Sequence, residues 1–258
     1  MRLKGKYRFK LEALLSFILM IGFVSCDYLE FLGKEGEMVS DEVAIEGVGA
    51  IVVDAPYHIH LIQSDEHKIL LEGYDFLMKD VIITEEDGVL IIDHLEADYI
   101  QKSKKLKLSL FAPDFSKFTI NKPVEFTSEG VISGNSLWIV FNGGASFSEM
   151  NLNLNYSQVS VNAYGLDHVG KYKLKGECDV FKLTFEGSAN VNAVDMSSKA
   201  CYLNHRSINY CKVNCQEKLK VHVYNTGDTY YAGNPEIETE RTGLDGLKPS
   251  GEIIHIME

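Results

Sequence analysis

With 258 residues, 45% apolar and 10% aromatic content, the chain is long enough to bury a substantial core, as one domain or two small ones. Its net charge of -12 becomes -16 once residues 1–25 are set aside, because that stretch carries Arg2, Lys4, Lys6, Arg8 and Lys10 against Glu12 alone. This acidic balance argues against a nucleic-acid partner, since phosphate neutralisation needs a basic face.

The opening "MRLKGKYRFKLEALLSFILMIGFVSC" has a basic start, an apolar run from Ala13 to Val24 and a small residue before a cysteine. The run is short of the roughly 20 apolar residues of a spanning helix, so residues 1–25 read as a cleaved export signal. The ending "FVSC" resembles the bacterial lipobox, with Phe23 in place of the usual leucine. Cys26 is then the lipidated amino terminus, and its acyl chains hold the protein on a membrane, each buried methylene adding about 0.8 kcal/mol. The plain alternative is an unlipidated signal peptide with an incidental cysteine. Residues 26–42 are polar and acidic and suit a flexible tether. Asp27 and Glu30 fit the export of surface lipoproteins. An outer-membrane lipoprotein facing either the cell surface or the periplasm is the expectation.

From residue 43 onward short β-rich runs recur: "AIVVDA", "HIHLIQ", "KILLEG", "DVIITEE", "GVLIIDH", "KLKLSLFA" and "KFTIN". Turn signals such as Asp87-Gly88 and Ala112-Pro113-Asp114 separate them, so the class is all-β. From residue 137 the strands become periodic. The segments "LWIVFNGGASF", "VSVNAYGLDHV", "FKLTFEGSANV", "CYLNHRSINYC" and "VHVYNTGDTYY" begin at Leu137, Val159, Phe181, Cys201 and Val221, at intervals of 22, 22, 20 and 20. Aligned, their third column is Ile139, Val161, Leu183, Leu203 and Val223, the seventh Gly143, Gly165, Gly187, Ser207 and Gly227, and the eleventh Phe147, Val169, Val191, Cys211 and Tyr231. Phe118 and Ile120 suggest one earlier rung.

Such units read as a β-solenoid of parallel strands with rungs of about 20–22 residues, because one unit alone cannot bury its apolar side and stacking makes the core. Glycine in the turn column is expected where φ is positive. The amino-terminal strands either join the same solenoid or form a capping β-layer. "NTGDTYYAGNP", residues 225–235, reads as the last full coil before a terminal cap.

Catalytic patterns are sparse. The repeat acids Glu149, Asp167, Glu177, Asp179, Glu186, Asp195 and Asp228 fall in different columns, and no nucleophile elbow occurs. His58 and His60 share a strand face but lack a third ligand at a supporting spacing, so no metal or other cofactor is expected. Cys201 and Cys211 point inward about the turn at Arg206. They form either a disulfide across one rung or two buried small hydrophobes.

Outward columns carry Trp138, Ser160, Lys182, Tyr202 and His222, then Val140, Asn162, Thr184, Asn204 and Tyr224, and across the turn Ser146, His168, Asn190, Tyr210 and Tyr230. Water-facing aromatics have no packing reason to be there. Trp138, Tyr202, His222 and Tyr224 are therefore the candidate binding face for a glycan, a protein or a second copy of the chain, with Tyr230 a separate candidate.

The stretches "VGAIVVDAPYHIHLIQSDEHKILLEG", "DGVLIIDHLE", "LSLFAPDFSKFTI" and "NTGDTYYAGNP" resemble the head-GIN domain family of auto-transporter adhesins and lipoproteins of Bacteroides-like bacteria. The resemblance covers residues 43–247 and leaves 248–258 as a carboxyl-terminal tail. It implies a right-handed parallel β-helix, an adhesive role and no catalytic residues. The family's Gly-Ser-Gly turns are eroded here to "NGGAS", "AYGLD", "EGSAN", "HRSIN" and "NTGDT". The expectation is an exported, lipid-anchored, non-enzymatic protein of adhesion or envelope interaction. The alternatives are a β-helical polysaccharide lyase or hydrolase and a purely structural envelope protein.

Overall fold

The computed structural model describes residues 36–46, 49–95, 106–243, 246 and 248–256. The export signal and Cys26 lie outside the described residues, and no described helix is long and apolar enough to cross a membrane. Residues 38–258 make one compact unit.

The core of this unit is a parallel β-solenoid. Its long strands are β10 (Ile132–Phe141), β11 (Ser148–Ala163), β12 (Gly170–Phe185), β13 (Asn190–His205) and β14 (Cys211–Val223). Each of β11 to β14 spans most of a coil. It runs along one face, turns a corner and runs along the second face, stacking in parallel on its neighbours throughout. Rungs stack at the usual ~4.8 Å inter-strand spacing.

Alternation does the packing. On the second face the inward column runs Leu90, Ile51, Phe118, Ile139, Val161, Leu183, Leu203, Val221, one residue per rung. All eight are buried. The inward column of the first face runs Leu108, Ile59, Phe126, Met150, Tyr172, Val191, Cys211, Thr229, also buried throughout. Each Val, Leu or Phe so buried contributes about 1.5–3 kcal/mol.

The rung expected before Leu137 exists as β8 (Lys117–Ile120), though Phe118 stands beside Ile139 rather than Leu137. The amino-terminal strands prove to be both coil and cap. β2 (Ala50–Val53) and β3 (Tyr57–Gln63) form one coil. It lies between the coil of β6 (Val89–His94) and β7 (Leu106–Ala112) and that of β8 and β9 (Glu125–Ser128). The chain thus leaves the stack after β3 and re-enters on its far side. The intervening β4 (Lys68–Tyr74), α1 (Asp75–Met78) and β5 (Val81–Glu86) add the antiparallel pairs β4–β7 and β5–β6, and β4 also pairs antiparallel with the first strand, residues 38–44. β1 (Met38–Ala44) draws part of the expected tether into this cap.

The other end also exceeds expectation. β15 (Thr229–Ala232) and β16 (Glu236–Arg241) complete a coil above β14. β17 (Ile253–His255) then stacks on β15, so residues expected as a tail contribute one more rung. "NTGDTYYAGNP" carries the chain into and through β15, and Gly227 supplies close approach rather than unusual φ. A Cβ there would collide with the carbonyl oxygen of Asn209, with Ser207 O 2.7 Å away. At Gly187 both demands apply, since φ is +62° and a Cβ would lie 2.5 Å from His168 O.

Several inward or outward assignments fail at the turns. Phe147, expected inside, takes φ of 69° and is 72% exposed, because the 3-10 turn Gly143–Ala145 puts Ala145 inside instead. His168, expected outside, is fully buried, with Nε2 2.6 Å from the Tyr172 hydroxyl and Nδ1 without a partner. Tyr231 is half-buried, stacked on His255 with centroids 4.9 Å apart.

His205 continues the inward column of Phe141, Ala163 and Phe185, its ring 4.4 Å from that of Phe185. Its nitrogens meet Thr229 Oγ1 at 2.8 Å and Asn209 O at 2.8 Å. Burial pushes its pKa down to about 4, against a smaller upward pull from the Asn209 carbonyl. The folded state therefore resists protonation while the unfolded chain accepts it near pH 6.5. Stability is complete above that pH and falls as pH drops towards 4, by about 3 kcal/mol from this residue. Urea midpoints measured from pH 7.5 to 4.5 will decline accordingly, and His205→Gln will flatten the decline. Gly227→Ala will cost about 1–3 kcal/mol in the same assay, because the Asn209 carbonyl belongs to the adjoining rung and cannot yield cheaply.

Candidate functional site

Both outer faces are ladders of side chains one rung apart. On the second face, one ladder is Lys117, Trp138, Ser160, Lys182, Tyr202, Lys220, Glu238. The next is Thr119, Val140, Asn162, Thr184, Asn204, His222, Glu240. The turn-proximal ladder runs Asn142, Tyr164, Glu186, Arg206, Tyr224, Thr242.

Trp138, Tyr202, His222 and Tyr224 thus share one face, but not as a single cluster. The aligned repeats made His222 the rung neighbour of Tyr202, whereas the structure puts Lys220 there and sets His222 beside Asn204. The reason is a contraction at the corner. Phe181 pairs with Cys201 and Cys201 with Leu219, so the interval falls from 20 to 18, with register shifts between Ala193 and Ala200. A slip of two keeps every residue on its own side of the sheet but changes its neighbour.

His222 and Tyr224 stack with ring centroids 3.9 Å apart, and the Arg206 guanidinium lies 4.7 Å over the Tyr224 ring. Arg206 pairs with Glu186 at 2.7 Å, and His222 meets Thr242 Oγ1 at 2.9 Å and Glu240 at 3.4 Å. Lys220 reaches Glu240 at 2.6 Å and Glu238 at 2.9 Å. These hydrogen bonds raise the Lys220 pKa and lower those of Glu238 and Glu240. This end of the face is saturated by its own partners, which leaves Tyr224 little ring surface for a ligand.

Trp138 and Tyr202 are different. Trp138 is 43% exposed and Tyr202 38%, and three rung steps, about 14 Å, separate them along one ladder. Lys117 Nζ lies 4.9 Å over the Trp138 ring. The Asn162 amide, turned so that both its groups are satisfied, accepts the indole N–H at 2.7 Å. Lys182 and Lys220 flank Tyr202. The arrangement is two aromatic platforms interleaved with cations and amides.

Tyr230 belongs to the other face, in the ladder His60, Thr127, Asn151, Lys173, Asn192, Lys212, Tyr230. Its rung neighbour is Lys212, not Tyr210. Lys212 Nζ stands 5.4 Å from the Tyr210 ring centroid and 5.8 Å from that of Tyr230.

Beside that ladder runs one that the sequence reading missed: His58, Glu125, Glu149, Lys171, Asn190. The middle rungs of the two ladders, from Glu125 and Thr127 to Asn190 and Asn192, line an open groove of about 360 Å³. Thr127 Oγ1 lies 3.2 Å from His58 Nε2 and 2.9 Å from His60 Nδ1, and Lys171 is 3.6 Å from Glu149. Acids of adjacent rungs do align here, contrary to the columns drawn from residue 137 on. The missing signal was "VEFTS", which belongs to the rung before the visible repeat.

Of the cysteines, Cys178, Cys201, Cys211 and Cys215 are free and buried. Of the two alternatives for Cys201 and Cys211, the structure has the buried small hydrophobes and not the bridge. Cys211 stacks between Val191 and Thr229 on the first face, whereas Cys201 stacks between Phe181 and Leu219 on the second. Cys201 instead shares its corner with Cys215, whose rung partner Ser198 lies 2.9 Å from the Cys201 sulfur.

A parallel β-solenoid with an antiparallel amino-terminal cap and ladder-like outer faces is thus the class of protein. The chain belongs to the family described as "Putative auto-transporter adhesin, head GIN domain", whose sequence profile matches residues 49–235. Among solved structures, a "putative adhesin" of Bacteroides fragilis is similar at 18% identity, with a TM-score of 0.75 over 86% of this chain and 98% of that one. A "putative adhesin" of Parabacteroides distasonis is similar at 17% identity and a TM-score of 0.62, over 86% and 98% of the two chains. A "putative lipid binding protein" of Parabacteroides distasonis is similar at 17% identity and 0.59, with the same coverage. At these identities the likeness is one of fold. No curated protein matches.

Trp138 is the sole tryptophan of the chain, so its emission reports on this face alone. Asn162→Ala will shift that emission to longer wavelength, as water replaces the amide at the indole N–H, and will change stability by no more than about 1 kcal/mol.

Proposed function

We propose that this chain is an exported adhesion module of the cell envelope, anchored through lipid on Cys26 and acting by binding without catalysis. The observation that carries the reading is the ladder of Trp138 and Tyr202 interleaved with Lys117, Lys182 and Lys220 on a rigid sheet face. A face repeating at ~4.8 Å suits an extended polymer, which meets a similar set of groups at each step. Rings supply stacking area, and amides and lysines supply hydrogen bonds to hydroxyls or carboxylates. A glycan chain is the occupant such a ladder fits best. The adhesin descriptions of the family and of its structural relatives support the same role. The polar character of both outer faces favours a wet, reversible contact over a permanent oligomer interface.

One observation favours a second reading, glycan cleavage. Glu125 and Glu149 sit on adjacent rungs beside Lys171, at the ~4.8 Å of stacked strands, close to the ~5 Å between carboxyls in retaining glycosidases.

Both readings meet in one experiment. The full chain is screened against a glycan array and extracellular-matrix proteins, with soluble polysaccharides assayed for depolymerisation. Trp138→Ala combined with Tyr202→Ala will weaken retention at least about tenfold, the equivalent of ~1.4 kcal/mol, while Glu125→Gln with Glu149→Gln leaves it intact. Unchanged binding in the aromatic double variant would remove the proposed face. Depolymerisation that vanishes in the glutamine double variant would establish the enzyme instead.

A further inference from the structure

The corner between the two faces gathers three of the four described thiols. Cys178, Ser198 and Cys215 occupy one position on three successive rungs. Cys201 follows Ser198 by three residues, and the Ser198 hydroxyl lies 2.9 Å from its sulfur. Cys215 Sγ lies 3.7 Å from Lys199 O, two residues before Cys201, so both sulfurs sit in the same corner. Cys215 Sγ also lies 3.0 Å from Lys218 O. β13 and β14 change register at this corner: Ser198 faces Cys215, while Ala200 already faces Lys218. The chain of β14 therefore swings Cys215 inward beneath Cys201.

We infer that Cys201 and Cys215 are the disulfide-forming pair of this protein, closing the corner of β13 onto that of β14. The inference is independent of any ligand. It assigns the bridge to a contact between adjacent rungs, where the backbones are already held together by the sheet. Cys211 is excluded by lying on the other face. Cys178 is left as the third thiol, two rungs from Cys215.

The chemistry needs an oxidant, and a small-molecule or protein disulfide supplies it. The Cys215 thiolate attacks one sulfur of the oxidant, forming a mixed disulfide and expelling the other sulfur as thiolate. Cys201, losing its proton, then attacks Cys215 Sγ and expels the second oxidant sulfur. Two protein thiols become one disulfide, the oxidant disulfide becomes two thiols, and two electrons pass to it. The local environment prepares the order of events. Hydrogen bonds from Cys201 and from backbone N–H groups lower the pKa of Cys215, while the same contact and burial raise that of Cys201. Both sulfurs are fully buried, so the exchange proceeds during folding or when the corner opens.

The test uses the wild-type full chain, purified without reductant and separately refolded with oxidised glutathione. Unfolding in the presence of an alkylating agent, followed by peptide mass mapping, counts the free thiols and locates any bridge. The expected result is a mass lower by two hydrogens, a peptide linking Cys201 to Cys215, alkylated Cys178 and Cys211, and a Tm that falls on reduction. Cys211→Ser will leave the bridge and the shift intact, whereas Cys215→Ser will abolish both. Alkylation of Cys178, Cys201, Cys211 and Cys215 in both preparations, or a bridge from Cys201 or Cys215 to Cys26, Cys178 or Cys211, would overturn the inference.

Discussion

The in-register parallel stacking of the rungs is the constraint on which the rest depends. No coil has a core of its own, so each inward side chain is buried by those directly above and below it. The column from Leu90 to Val221 shows what this demands: one apolar residue per rung at a fixed place, held by backbone hydrogen bonds at fixed height. The turns inherit the demand, because successive chains must pass one another at the same spacing. Gly187 and Gly227 answer it where a Cβ would strike the carbonyl of the adjoining rung. His205 occupies the inward column of Phe141, Ala163 and Phe185 with both ring nitrogens partnered inside.

A stack of parallel strands has two ends, and each end is an exposed template for further pairing. The amino-terminal end is closed by reversing the chain. β1, β4 and β5 pair antiparallel, and the coil of β2 and β3 is sealed between two coils that come later in sequence. The carboxyl-terminal end is blunted by charge. All six residues of β16 are exposed, and Glu236, Glu238 and Glu240 alternate along it. Lys218 and Lys220 of the rung beneath engage Glu238 and Glu240, so the edge is charged without being internally repelled.

The same stacking converts sequence repetition into surface. Outward residues of successive rungs form straight ladders, and a ladder presents its chemistry at regular steps on a frame that does not yield. Two faces result, with distinct character. One spaces Trp138 and Tyr202 among lysines and amides, and the other lines a groove with two acids, a lysine and an asparagine in rung order. Rigid presentation lowers the entropic cost of binding, because the side chains of a ladder are already confined by their neighbours.

Much of this was legible in the amino-acid order. Alternation of apolar residues, their recurrence every 20–22 positions and the turn glycines define a solenoid, because only stacking buries such a pattern. The side on which Ile139, Val161, Leu183 and Leu203 lie followed directly, as did the outward placing of Trp138 and Tyr202. What only the tertiary structure decided is which rungs are neighbours. The corner between Ala193 and Ala200 drops two residues, and a shift of two is invisible to alternation, so His222 left Tyr202 for Asn204 and Tyr230 left Tyr210 for Lys212. The insertion of β2 and β3 between later coils was equally hidden, since nothing in a strand's own residues records where in the stack it will be placed. Glu125 came to Glu149, and Ser198 to Cys215, between successive rungs whose intervals of 24 and 17 residues depart from the repeat. Inside or outside is a local property with a period of two, whereas neighbourhood depends on the length of every intervening turn.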